Sequence, residues 1–144
     1  MSDPSLAVQK ALRARFIATP GLVALVPAAN ILDRNERPVP DPSILLGDDQ
    51  VVDANVAVAR DYVKVFSTLH IWKKEPSLEG VKMITGAIRR AIGRVQRLDL
   101  DSADYFCTDI KINSSRFLRD PGGEFSHGVL VIECLVQEKW STII

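Results

Sequence analysis

"FLRDPGGEFSHGVLVIECLV", residues 117–136, sets a Gly pair, two acids and a histidine between two apolar runs. Its reading decides the fold. A phosphate-cradling glycine loop needs backbone N–H groups at the start of a helix, directly after a strand. Here strand-like residues flank Asp120-Pro121-Gly122-Gly123 on both sides, and no GKS or GKT ending follows. Pro fixes φ, Gly permits φ > 0, and Asp can bond nearby backbone, so the tetrapeptide is turn chemistry. The stretch therefore predicts a hairpin tip. Arg119 and Asp120, with His127 beyond, can form a local charge cluster of structural or interface character.

Working outward, the strand after the tip is "HGVLVIECLVQEKW", 127–140, and the one before it is "YFCTDIKIN", 105–113. Alternation in the latter places Phe106, Thr108, Ile110 and Ile112 on one side, with 114–119 inside the reversal. The clearest strand is "YVKVFSTLHIW", 62–72, rich in β-branched and aromatic residues. One face carries Val63, Val65, Ser67, Leu69 and Ile71; the other carries Tyr62, Lys64, Phe66, Thr68, His70 and Trp72. Both faces are partly apolar, so helices cover one and something else meets the other. "SILLG", 43–47, reads as a further strand ended by glycine, and 48–61 as a long mobile hairpin loop, with a short helix at Val52–Ala59 as the alternative.

Two helices complete the frame. Ser2 or Asp3 caps the first, Pro4 fits its first turn, and Leu6, Val8, Ala11, Leu12 and Phe16 recur at helical spacing. "TPGL", 19–22, stops it, and Leu22–Val26 makes one or two further turns. Four prolines in 27–42 mark a surface loop with a short strand at Ile31–Leu32. The second main helix covers 77–97, with Ser77 as cap and Val81, Ile84, Ile88, Ala91, Ile92 and Val95 as its apolar stripe. Lys82, Arg89, Arg90, Arg94 and Arg97 leave the rest basic. That face is either solvated, with cations well placed near a helix C-terminus, or a docking surface for something acidic.

A chain of 144 residues forms one domain, 1–144, and buries roughly 70% of its unfolded surface without needing a metal or disulfide. The expected class is α+β: a small antiparallel or mixed sheet of three to five strands packed against two main helices. Formal net charge is zero, which argues against tight nonspecific nucleic-acid binding, since that affinity comes from Lys and Arg neutralising phosphates. No sequence-specific DNA reading is expected. Apolar runs fall short of the roughly 20 residues that span a bilayer, and Asp3, Pro4, Gln9 and Lys10 interrupt any signal core. A soluble protein made in a cytoplasm, with no membrane partner, is expected. Cys107 and Cys134 lack zinc spacing; either they pair between neighbouring strands or both stay thiols, and reduced thiols are expected in a cytoplasm. His70 and His127 are the only histidines, and no HExxH, paired-Cys or DxDxDG motif accompanies them. A catalytic reading would need a pocket around one of them with a neighbouring carboxylate. The pair Asp48–Asp49 falls in the expected loop, where solvation explains it.

The order "AVQKALRARF", "SILLGDD", "YVKVFSTLHIWKKEPSLEGVKMITGAIRRAI", "SSRFLRDPGGEFSHGVLVIECLV" resembles a family of small phage and prophage proteins. These are the tail-completion or tail-terminator proteins of tailed phages and gene transfer agents. The resemblance covers nearly the whole chain; 34–42 and 48–61 depart from the family in being longer and less acidic. It implies a small α/β domain that forms a ring, usually a hexamer, on the head-proximal end of the tail tube. The ring halts tube polymerisation and offers a surface for head joining. The implied partners are further copies of the chain, the tail tube protein and a head–tail connector or stopper protein, with DNA free to pass through the ring. The implied place is the tail or neck of the virion, and no reaction or cofactor is implied. Polar residues outside the inferred core are the candidate interface: Asp48, Asp49, Arg89, Arg90, Arg94, Arg116, Arg119, Asp120 and His127. The competing reading within the same assembly is another neck, minor tail or head-completion protein. An enzyme or small-ligand binder is the reading from a different class.

Overall fold

The computed structural model describes residues 2–36, 38–54, 60–93 and 97–139. Among these residues, three α-helices, α1 (Pro4–Ile17), α2 (Pro20–Val23) and α3 (Glu79–Ile92), and a short 3-10 helix (Ala28–Asn30) accompany five strands: β1 (Ile31–Leu32), β2 (Ser43–Asp53), β3 (Tyr62–Lys73), β4 (Tyr105–Arg119) and β5 (Ser126–Glu138). They form one sheet of order β1-β2-β3-β5-β4, parallel only between β1 and β2. The fold is α+β, as its sequence pattern implies.

Local chemistry sets the helix ends. Asp3 caps α1, its Oδ1 accepting from Ser5 N at 2.9 Å, and Pro4 takes a position where no backbone donor is needed. Such a cap is worth about 1 kcal/mol. Ser77 supplies its hydroxyl oxygen to Glu79 N at 3.1 Å at the start of α3. The helix stops at Ile92 rather than continuing to 97, because Gly93 takes φ +70°, a conformation open to glycine. Arg94 and Val95 lie outside the described residues.

Four further expectations differ from the structure. β2 does not end at Gly47 but runs to Asp53, so Asp48 and Asp49 lie in a strand and not in a loop; residues 55–59 of that expected loop lie outside the described residues. Pairing with Val63–Thr68 of β3 holds this extension in place. β4 runs through Arg119, so Ser114–Leu118 belong to the strand and only the DPGG tip reverses the chain. The turn closes with Gly123 N donating to the Asp120 carbonyl at 2.8 Å, and Gly123 has φ +78°. The simple alternation of β4 also fails. A bulge at Thr108 shifts the register, so Tyr105 and Cys107 face inward while Phe106 is exposed. The Thr108 hydroxyl donates to the Leu135 carbonyl at 3.0 Å across the irregularity. Lastly, Leu6 lies outside the stripe of α1, which buries Pro4, Val8, Ala11, Leu12 and Phe16.

One face of the sheet holds the core. Val63, Val65, Leu69 and Ile71 of β3 and Leu130, Ile132, Cys134 and Val136 of β5 meet Leu12 and Phe16 of α1 and Ile84 and Ile88 of α3 in one buried cluster. Arg15 Nε donates to the Ala91 carbonyl at 2.5 Å and ties α1 to α3. The Ser126 hydroxyl, fully buried, reaches the carbonyls of Glu75 and Ser77 at 2.9 and 2.8 Å and fixes the entry to α3 against β5. Cys107 and Cys134 are buried free thiols on neighbouring strands. Contact with Cys107, and then burial, push the Cys134 thiol well above its ordinary range.

Candidate functional site

Among the described residues, no helix covers the other face. Strand pairing places Leu45 and Gln50 of β2, Tyr62, Lys64, Phe66, Thr68, His70 and Trp72 of β3, and His127, Val129, Val131, Glu133, Leu135 and Gln137 of β5 there. All the β3 and β5 residues in this set are half-buried. The face is thus apolar in part but studded with titratable groups.

Its most ordered feature is a chain of rings across three strands. Gly47 and Asp48 form a bulge in β2 opposite Thr68 and Ser67 of β3, with Asp48 at φ +60°. His70 Nε2 lies 3.0 Å from Asp48 Oδ2, and His70 Nδ1 lies 2.9 Å from His127 Nε2 of β5. His127 in turn stacks on Trp72, ring centroids 3.8 Å apart and planes 6° from parallel. With His70 Nε2–H donating to the carboxylate, a neutral His70 ring accepts at Nδ1 from His127 Nε2–H, and a protonated one donates there instead. Burial, and then the neighbouring His70, hold His127 below the ordinary histidine range, with Asp120 acting the other way. Both nitrogens of His70 are engaged within the chain. Beside Trp72 is an open hollow of about 440 Å³ lined by Asn35, Glu36, Pro38, Val39, Leu45 and Phe125.

The remaining candidates fall into separate groups. Asp49 is half-buried on the helix-covered side opposite Ser67; burial pushes its carboxyl up while the Ser67 hydroxyl acts in the opposite sense. Arg89 and Arg90 are exposed in the last turn of α3, and Arg94 lies outside the described residues. Arg116 and Arg119 are exposed on β4, and Asp120 opens the hairpin turn. Among the described residues Arg119 and Asp120 form no ion pair with each other, so the expected charge cluster reduces to Asp120 near His127. The structure therefore joins Asp48 to His127 and disperses the others. The link is His70, which the sequence marks by its place on the Trp72 side of β3 and as one of two histidines in want of a neighbouring carboxylate; Asp48 is that carboxylate.

A sequence profile of the family described as tail completion protein gp17 matches residues 10–137. The fold is similar to a chain in the virion of a native gene transfer agent particle: TM-score 0.74, 18% identity, covering 90% of this chain and 94% of that one. It is also similar to the gp17 protein of bacteriophage SPP1: TM-score 0.59, 16% identity, covering 97% of this chain and 94% of that one. No curated protein sequence matches the chain significantly.

Proposed function

The chain belongs to the tail completion protein gp17 family, a component of a phage or gene transfer agent virion, and from this membership we propose that it forms a ring, a hexamer, which caps the head-proximal end of a tail tube. The ring ends tube polymerisation and presents its far side to a head–tail connector or stopper protein. The observation that carries this reading is the family match across residues 10–137.

The physical task is modest per copy. The cap must bind the tube end more favourably than the next tube subunit does, and must offer that subunit nothing to bind. A ring repeats each contact, so weak contacts add through effective concentration. The helix-free sheet face, half apolar and half titratable, suits contacts of this kind. The role needs no reaction and no cofactor, and leaves DNA a path through the ring.

Deleting the gene in the producing cell tests the reading. Electron micrographs should show tails of uncontrolled length and heads without tails, with both defects reversed by the wild-type gene. Normal-length tails joined to heads would overturn the terminator role in favour of a minor neck component.

A further inference from the structure

The two edges of the sheet differ in charge and share a liability. β1 shields β2 only at Ile44 and Leu45, so the stretch from Leu46 to Asp53 is an open edge. At the opposite border, β4 pairs with β5 on one side and, among the described residues, with no strand on the other. The open part of β2 carries Asp48, Asp49 and Asp53 and no basic residue. The mostly exposed part of β4, residues 109–119, carries Lys111, Arg116 and Arg119 against Asp109 alone. Among the described residues, six large hydrophobic side chains are exposed, and four of them sit on these two strands: Val51 and Val52 on β2, Phe106 and Leu118 on β4. An open edge with exposed apolar side chains is a template for another strand.

From these observations we infer that the Leu46–Asp53 edge of one copy pairs with the β4 edge of the next, so that the sheet continues from subunit to subunit around the ring. This rests on the ring reading and names the junction that builds it. Two acidic edges repel each other, as do two basic ones, so a two-fold contact between like edges is disfavoured while the unlike pair attracts. A contact between two different patches is heterologous and closes into a ring by rotation. Direction agrees. β2 is antiparallel to β3, β3 to β5 and β5 to β4, so β2 and β4 run in opposite senses. Rotation about a ring axis does not reverse a strand along that axis, so the junction is antiparallel, with bonds perpendicular to the strands. The bulges at Asp48 and Asn113 interrupt both edges and keep the pairing short.

The test uses two variants, each altered on one edge: Asp48→Lys with Asp53→Lys, and Arg116→Glu with Arg119→Glu. Each is supplied alone, and then both together, to cells that lack the gene. Alone, each juxtaposes like charges at every junction, and capped, head-joined tails should fall about tenfold or more. Together, the Lys edge of one meets the Glu edge of the other and the two unaltered edges meet, so an alternating ring of even number closes and capped tails return. Thermal unfolding of each purified variant, unchanged within a few degrees from wild type, shows that a loss is not misfolding. Complementation by either variant alone, or no rescue by the pair where wild type rescues, overturns the edge junction and leaves the ring reading standing. A deletion without phenotype overturns both.

Discussion

The two faces of β3 share one backbone and differ in every other respect. Inward, Val63, Val65, Ser67, Leu69 and Ile71 are at most 4% exposed under the helices. Outward, Lys64, Phe66, Thr68, His70 and Trp72 remain half-buried, held by neighbours on β2 and β5 rather than by a covering layer. Fully burying a side chain such as Leu69 or Ile71 gives about 1.5–3 kcal/mol, so the inner face holds the fold. The outer face gives less to folding and keeps its apolar area and its Asp48–His70–His127 chain available to a partner. A strand whose faces divide in this way builds a core on one side and, on the proposed reading, offers a contact surface on the other.

The comparison breaks most sharply at the inner face. Ile88→Ala should cost about 2–5 kcal/mol in chemical denaturation, the loss of buried groups plus a cavity; a change below about 0.5 would put the α3 stripe on the surface. On the outer face Val131→Ala should cost about 1 kcal/mol or less, and an equal loss on both faces would erase the distinction. A subtler effect is pH dependence. Burial lowers the His127 pKa from 6.5, so the unfolded chain binds that proton more readily than the folded one. Stability from this site is complete above about 6.5 and declines as pH falls through that value. His127→Gln should flatten the slope there, and an unchanged slope would remove His127 as its source. Smallest of all, Arg119→Glu should alter monomer stability by about 0.5 kcal/mol or less, because Arg119 lies exposed at the end of β4.

What could be read from the sequence follows from how local its cause is. The strand at 62–72 and the DPGG turn carry their own signals, alternation and turn chemistry, and both stand where the residues place them. The cap of α1 is equally local. The extension of β2 is not: Asp48-Asp49-Gln50 has poor strand propensity, and the segment is extended because Ser67, Phe66 and Val65 of β3 lie beside it. The bulge at Thr108 moves Phe106 out and Cys107 in, a one-residue shift that no alternation pattern shows. For the same reason the meeting of Asp48, His70 and His127 was hidden: it depends on a bulge in one strand and on register between two others. The sequence marks all three residues but not that they meet, since Asp48 and His127 stand among the polar candidates and His70 only as one of two histidines.

The central claim is that this subunit sits as a ring between tube and head. Reconstruction of the neck of intact particles by electron cryomicroscopy, with this chain fitted to the density, tests it most directly. The expected result is a closed ring of copies at the head-proximal end of the tube, with the β2 edge of each against the β4 edge of the next. Copies found only at the distal tip, or repeated along the tube, would contradict it.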